Sequence, residues 1–168
     1  MRSAVALVAI LIALGVQTTL SSQGFANGTS IDLVLIVVVY VAIKSGPSTG
    51  LLAGTVAGLI QDSLSSGILG IGGLAKTLVG FLAGVLGSQF IVTAPLPRFL
   101  LLLMATALHA AIFMGLYTLL NLRQFPAPYS SIVAQAFGNA LVGVIAFQMI
   151  EWFPGFVDRR RAGRFLKR

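Results

Sequence analysis

The sequence has no cysteine, a single histidine, a single tryptophan and only four acidic residues in 168 positions. Without cysteine, disulfide bonds, thiolate nucleophiles and cysteine-ligated zinc sites are excluded. The HExxH pattern of zinc proteases and the GxxxxGK[ST] phosphate-binding loop are absent as well. These absences predict a chain that is not an enzyme and that carries no cofactor and no metal.

Charged residues are also scarce, at 9% of the chain, whereas 57% of the residues are hydrophobic. A soluble domain carries about 25% charged residues. The shortage of charge therefore predicts an integral membrane protein with little mass outside the lipid. The net charge of +7 does not indicate nucleic acid binding, because six of the eleven basic residues lie in the last ten positions. These six form a tail and not a groove-binding face.

The hydrophobic pattern divides into six apolar segments, at residues 4–20, 31–43, 47–60, 71–90, 99–120 and 131–153. A full span needs about 20 residues at about 1.5 Å each, and the first, fourth, fifth and sixth segments meet or approach that length. The second and third are short, and the turn Lys44-Ser-Gly46-Pro47 joins them into a predicted helical hairpin that lies partly inside the protein or in a thinned bilayer. The predicted fold is all-α: one polytopic transmembrane domain of six helices over residues 1–168, with a basic tail at 158–168.

The distribution of lysine and arginine predicts the orientation. With both termini in the cytoplasm, the inner side carries Arg2, Lys44, Arg98 and the six basic residues of the tail, and the outer side carries Arg123. An excess of nine basic residues against one satisfies the positive-inside rule. We therefore predict a multi-pass protein with cytoplasmic N and C termini.

The clearest motif is a ladder of small residues. Glycine recurs at every fourth position, as Gly46, Gly50, Gly54 and Gly58, and Asp62 continues the spacing. In water each interior glycine costs a helix about 1 kcal/mol relative to alanine. In a bilayer the same spacing allows a second helix to approach closely, so the ladder predicts a helix-packing surface.

A second small-residue pair, Gly80 and Gly84, follows in the fourth helix. One interpretation is that the third and fourth helices pack against each other through these glycines. The other is that part of the glycine surface binds a helix of a partner protein. The two are compatible, because a helix turns by about 40° for every step of four residues, so that a long stripe can contact more than one neighbour.

Three charged residues are predicted to lie toward the outer side. Asp62 and Lys76 are 14 residues apart in the sequence, and we expect an ion pair between them across the turn. In the alternatives, Lys76 extends to the interface, and Asp62 faces an outward pocket or accepts a hydrogen bond from a partner chain. Asp32 precedes the second helix, where a carboxylate complements the helix dipole, so we predict that it caps that helix.

Three further polar residues lie within the predicted spans. His109 is near the middle of the fifth helix and is expected to donate a hydrogen bond to a neighbouring helix. Ligand binding or proton relay would need a carboxylate near the same depth, and the sequence offers none. Gln135 and Asn139 are four residues apart on one face of the sixth helix, and such amides typically stabilise helix contacts by about 0.6 kcal/mol. A polar pocket formed by Asp62, His109, Gln135 and Asn139 is the alternative.

The basic tail has two interpretations. Each basic group near anionic lipid contributes about 1 kcal/mol to membrane binding, so the tail is expected to orient the protein and to bind anionic lipids. The alternative is a docking segment for a cytoplasmic partner. The residues concerned are Arg159, Arg160, Arg161, Arg164, Lys167 and Arg168.

The stretch from Asp32 to Gly87 resembles the MreD family of bacterial rod shape-determining proteins. The shared features are the aspartate that opens the second helix, the turn that ends in glycine, the G-x3-G-x3-G-L-x2-D-x-L-S pattern from Gly50 to Ser65, and the Gly-Phe-Leu step that begins at Gly80. The chain length, the six predicted spans and the short basic tail also agree with the family.

The resemblance implies a non-enzymatic subunit of the cell-elongation machinery in the bacterial cytoplasmic membrane. Its partner would be an MreC-like single-span protein, and it would act beside an MreB-like filament and the peptidoglycan synthases. In fold the family is similar to the substrate-binding subunits of energy-coupling-factor vitamin transporters. That similarity supplies the alternative function, which predicts a small molecule in an outward pocket and dependence on Asp62, His109 or Asn139.

Overall fold

The structure is a computed structural model. It describes residues 2–22, 31–65, 68–90, 94–121 and 129–165, with side chains for 5–19, 31–65, 68–90, 94–121 and 130–152. Over these residues the chain forms six helices and no strands, as the sequence predicts. The helices are α1 (Arg2–Ser22), α2 (Leu33–Ser45), α3 (Pro47–Leu64), α4 (Ile71–Gln89), α5 (Pro95–Leu119) and α6 (Tyr129–Phe165).

Three of the described helices are long and apolar enough to cross a membrane: Ile71–Gln89, Pro95–Leu119 and Ser130–Trp152. The apolar part described in α1, Val5–Thr19, is shorter than that, as is α2. The whole of α1 covers 21 residues, and the side chains at both of its ends lie outside the description, so the first span stays a prediction. The fifth helix begins four residues earlier than predicted, because Pro95 and Pro97 occupy its first turn, where the missing N–H groups cost nothing.

The centre of the bundle is α2. Seven of its thirteen residues are buried, and Val34, Val38, Val39 and Ala42 are fully enclosed. A helix that is apolar on all sides must be surrounded by protein or by lipid, and here α3, α4, α5 and α6 all contact it. With thirteen residues α2 is about 20 Å long.

Two glycines have a positive φ, and they lie in the connections before and after α3. Gly46 has φ +90° between α2 and α3, and Gly70 has φ +104° immediately before α4. Residues with a Cβ rarely adopt these angles. The sequence around Ser48 in the first turn also matches the pattern G-x-S-x-G. In hydrolases that pattern follows a strand, whereas here it follows helix α2. The structure around Ser48 is therefore that of a turn between two helices.

Candidate functional site

The glycine ladder of α3 lies against α4 over most of its length. A Cβ added at Gly50 would overlap the backbone of Gly80, and one at Gly54 would overlap the backbone of Lys76. At Gly58 the added atom would lie 2.5 Å from the Cα of Gly73. Such distances show that the two helix backbones touch, which is the packing mode that small residues allow in membranes. This face of α3 is therefore occupied within the chain.

The glycines of α4 complete the same interface on the other side. A Cβ at Gly84 would lie 2.5 Å from the Cα of Pro47, next to Gly46, and one at Gly87 would lie 2.8 Å from the Cα of Ile43. Beside the ladder, the hydroxyl groups of Thr55 and Thr77 are hydrogen-bonded at 2.8 Å. The α2–α3 hairpin and α4 thus form one closely packed unit.

Asp62 does not form the expected ion pair with Lys76. Its Oδ2 accepts hydrogen bonds from the backbone N–H groups of Gly70, at 2.9 Å, and Gly73, at 3.1 Å. Asp62 therefore caps the N terminus of α4 from the end of α3, where a carboxylate satisfies free donors and complements the helix dipole. Sequence reasoning looked for a charged partner and missed this role. The available signal was Gly70 at the cap position, which has no side chain of its own to supply the capping bond.

Lys76 instead pairs with Asp32. Its Nζ lies 2.8 Å from Asp32 Oδ2, and the two side chains are only 3% and 7% exposed. The other carboxylate oxygen of Asp32 accepts the backbone N–H of Leu35 at 2.9 Å, so the predicted capping of α2 is confirmed. One carboxylate therefore both caps the N terminus of α2 and neutralises a buried ammonium group on α4.

His109 is the next group in this chain of contacts. Its Nε2 lies 3.1 Å from Lys76 Nζ. An ammonium group can only donate, so Nε2 accepts and the ring proton is on Nδ1. The expected contact with a neighbouring helix is present, but Nε2 accepts this hydrogen bond and does not donate it as predicted. The carboxylate of Asp32 lies just beyond Lys76. The ring of His109 stacks on Phe113, with centroids 5.9 Å apart.

The sixth helix joins the same site through Asn139, which is fully buried. Its Oδ1 accepts the backbone N–H of Asp32 at 2.8 Å, and its Nδ2 donates to Thr106 Oγ1 at 3.2 Å. Gln135 lies half-buried one turn before it on α6. We call Asp32, Lys76, Thr106, His109 and Asn139 the Asp32 cluster. It connects α2, α4, α5 and α6. Asp62 is not part of the cluster, because its carboxylate accepts hydrogen bonds from the backbone at the start of α4.

A second ionic group lies at the other end of α2, and sequence reasoning did not identify it. Glu151 on α6 is 2.6 Å from Lys44 Nζ and 2.8 Å from the guanidinium of Arg98. Arg98 is buried and lies over the ring of Phe147, 5.8 Å from its centroid. We call Lys44, Arg98 and Glu151 the Glu151 cluster. The available signal was that Glu151 is an acid predicted on the same side as both basic residues.

The two clusters are close together for a membrane protein. Asp32 and Lys44 are twelve residues apart, which is about 18 Å along α2, whereas the hydrocarbon core is about 30 Å thick. Charges at such depth must be enclosed and paired. All six charged side chains that the structure describes are held by an internal ion pair or hydrogen bond. Four of them are also buried, namely Asp32, Asp62, Lys76 and Arg98.

The basic tail falls mostly beyond this description. Helix α6 continues to Phe165, so the backbone from 159 to 164 is helical. Lys167 and Arg168 lie outside the described residues, as does Arg123. The predicted binding of anionic lipids or of a cytoplasmic partner by the tail stays a prediction.

Comparison with known proteins gives one match. A family model described as rod shape-determining protein MreD matches residues 1–159 of the chain. No curated protein and no solved structure matches the chain.

Proposed function

The chain belongs to the MreD family of rod shape-determining membrane proteins, and from this premise we propose that it is a non-enzymatic scaffold subunit of the complex that elongates rod-shaped bacteria. In this proposal it binds an MreC-like single-span protein in the cytoplasmic membrane. An MreB-like filament and the peptidoglycan synthases act in the same assembly, and both termini face the cytoplasm.

The use of the polar groups supports a binding role. Intramembrane charges usually mark pathways for ions or substrates. Here the described charged side chains form contacts that hold helices together, including the Lys76–Asp32 pair and the three-residue Glu151 cluster. A cavity of about 610 Å³ lies elsewhere, between α4 and α5, and is lined by apolar side chains alone. These features fit a rigid protein that presents surfaces better than one that binds a polar substrate.

The proposed function is tested by gentle purification of the tagged protein from native membranes, followed by mass spectrometry of proteins and small molecules. We expect recovery of an MreC-like single-span protein, with or without a transpeptidase and a glycosyltransferase. A tagged polytopic protein of unrelated function is the control. Recovery of an ATP-binding cassette pair and a vitamin-sized ligand in its place would overturn the scaffold proposal and favour a transporter subunit.

A cell-shape assay gives a second test. Depletion of the protein is expected to convert rods to spheres, and expression of the intact chain is expected to restore them. Rods that persist through complete depletion would contradict the proposal.

A further inference from the structure

The hydrogen bond between Lys76 and His109 is the point where the Asp32 cluster comes nearest to the surface of the chain. Asp32 and Lys76 are 5% and 3% exposed, whereas His109 is half-buried. Histidine is the side chain that ordinarily changes its charge between about pH 5 and pH 8. A proton from outside the bundle therefore reaches this cluster through the imidazole ring.

Few charged groups face that ring. Helices α2, α4 and α6 pack against α5. Helix α4 contributes Lys76, with Nζ 3.1 Å from Nε2 of His109, and the start of α2 contributes Asp32 on the far side of Lys76. Helix α6 contributes the neutral amide of Asn139 to the same cluster. The other titratable side chains described on these four helices lie at least eight residues along the chain from Asp32, His109 or Asn139: Tyr40, Lys44, Arg98, Tyr117 and Glu151.

A second proton on His109 would remove its contact with Lys76. The neutral ring already carries a proton on Nδ1 and accepts the ammonium N–H through Nε2, so the further proton must occupy Nε2. Two donors and two positive charges would then face each other at the distance of this contact. Since Asp32 and Lys76 balance each other, the net charge of the cluster would change from zero to +1, and an uncompensated charge is unfavourable in an enclosed site.

We propose that the Lys76–His109 hydrogen bond is an acid-sensitive latch between α4 and α5, closed while His109 is neutral and opened when the ring is protonated. On opening, Lys76 stays with Asp32, because both side chains of that ion pair are buried. His109 moves toward the surface, together with the part of α5 that follows it. The latch goes beyond the proposed function and does not depend on it, because all of its contacts lie within the chain.

A row of aromatic rings extends the latch along α5. The ring of His109 stacks on Phe113, with centroids 5.9 Å apart, and Phe113 lies 4.9 Å from Tyr117. The hydroxyl oxygen of Tyr117 accepts the backbone N–H of Ile68 at 3.4 Å, shortly before α4 begins. Movement of His109 therefore also disturbs a second contact between α5 and the start of α4.

The packing around the latch determines which helices can separate. An apolar groove of about 610 Å³ lies between α4 and α5 and reaches Phe90, so close packing on that side does not replace the lost hydrogen bond. By contrast, the backbones of α3 and α4 touch, because a Cβ at Gly54 would overlap the backbone of Lys76. We therefore expect α4 to stay with α3 when α5 moves.

The first test is the titration of His109, which is the single histidine of the chain. Nitrogen NMR of the histidine-labelled protein in bicelles reports the tautomer and the charge of the ring from about pH 7.5 to about pH 3.5. We expect a neutral ring with its proton on Nδ1 at the upper end, and a second proton on Nε2 as the pH falls. A neutral ring with its proton on Nε2, or a ring that stays neutral throughout, would overturn the latch.

The second test measures the separation of α4 and α5 with spin labels, since the chain contains no cysteine of its own. Leu74→Cys in the first turn of α4 and Leu119→Cys at the end of α5 are 57% and 80% exposed in the unmodified chain. We expect the population at the neutral-pH distance to fall at least twofold over the range in which His109 gains its proton. The control pair is Leu74→Cys with Leu52→Cys on α3, which is 63% exposed, and its distance should stay constant.

A matched variant identifies the trigger. In His109→Gln the amide oxygen can still accept the N–H of Lys76, but the side chain gains no charge in acid. The distance between the α4 and α5 labels should then be the same at both ends of the pH range. A change that persists in this variant would assign the trigger to another group and overturn the proposal. So would a constant distance in the labelled chain that retains His109, if its ring is protonated, and that result does not depend on the folding of any His109 variant.

Discussion

Removal of either partner of the Lys76–Asp32 ion pair leaves a buried charge without its counter-charge. We consider Lys76→Met and Asp32→Asn, singly and together. Methionine keeps the unbranched apolar stem of lysine. Asparagine keeps the capping oxygen that accepts the N–H of Leu35, since the two residues cap helices about equally well. The variants therefore change the charge with little change in packing or in the start of α2.

The magnitude follows from the burial of the pair. The side chains are 3% and 7% exposed and their charged atoms are 2.8 Å apart. Breaking a buried pair by removing one partner costs about 3–5 kcal/mol, whereas replacing both partners is often nearly neutral. We expect each single variant to lose about 3–5 kcal/mol of unfolding free energy, and the double variant to lose less than either single variant.

The assay is reversible unfolding of the purified protein in detergent or bicelles, with thermal midpoints as a second readout. For a chain of this size the single variants should lower the midpoint by roughly 6–20 °C. Lys44→Met is the matched control, because Lys44 is 46% exposed and pairs of that kind contribute at most about 1 kcal/mol. If the double variant lost as much as the two single variants combined, the ammonium and carboxylate would not interact, and the reasoning would be refuted.

Two further predictions use the same unfolding measurement. Gly54→Ala should cost about 1–3 kcal/mol, because a Cβ there overlaps the backbone of α4, whereas Gly15→Ala at an open helical position should gain up to about 1 kcal/mol; equal effects would contradict the assigned packing. Glu151→Gln should cost about 1.5–3 kcal/mol and more than Lys44→Met, because the buried Arg98 loses its carboxylate, and a smaller loss than in Lys44→Met would show that Arg98 does not depend on Glu151.

Much of the architecture could be predicted from the sequence because the cues are local. The apolar segments, the proline after Gly46 and the glycine spacing predicted six helices, the tight α2–α3 turn and a small-residue packing surface. Each of these depends on residues close together in the chain. Helix boundaries were less accurate where proline lies inside a first turn, as in α5.

The partners of the polar residues were harder to predict. Lys76 was expected to pair with Asp62 because the two are near each other in the sequence, but its side chain faces α2 and reaches Asp32. The carboxylate of Asp62 is engaged by the backbone of α4. Which face of a helix turns toward which neighbour depends on contacts between distant segments, and one sequence does not specify those contacts.

The sequence by itself determined that this is a helical membrane protein with few charges and with a motif typical of its family, because hydropathy and glycine spacing are properties of single segments. Only the tertiary structure decided that α2 lies at the centre of the bundle, that the glycine face of α3 is filled by α4, and that Lys76 pairs with Asp32 and not with Asp62. The physical reason is that a charge or a small residue acquires its role from what is packed against it, and packing brings together residues as far apart as Asp32 and Asn139.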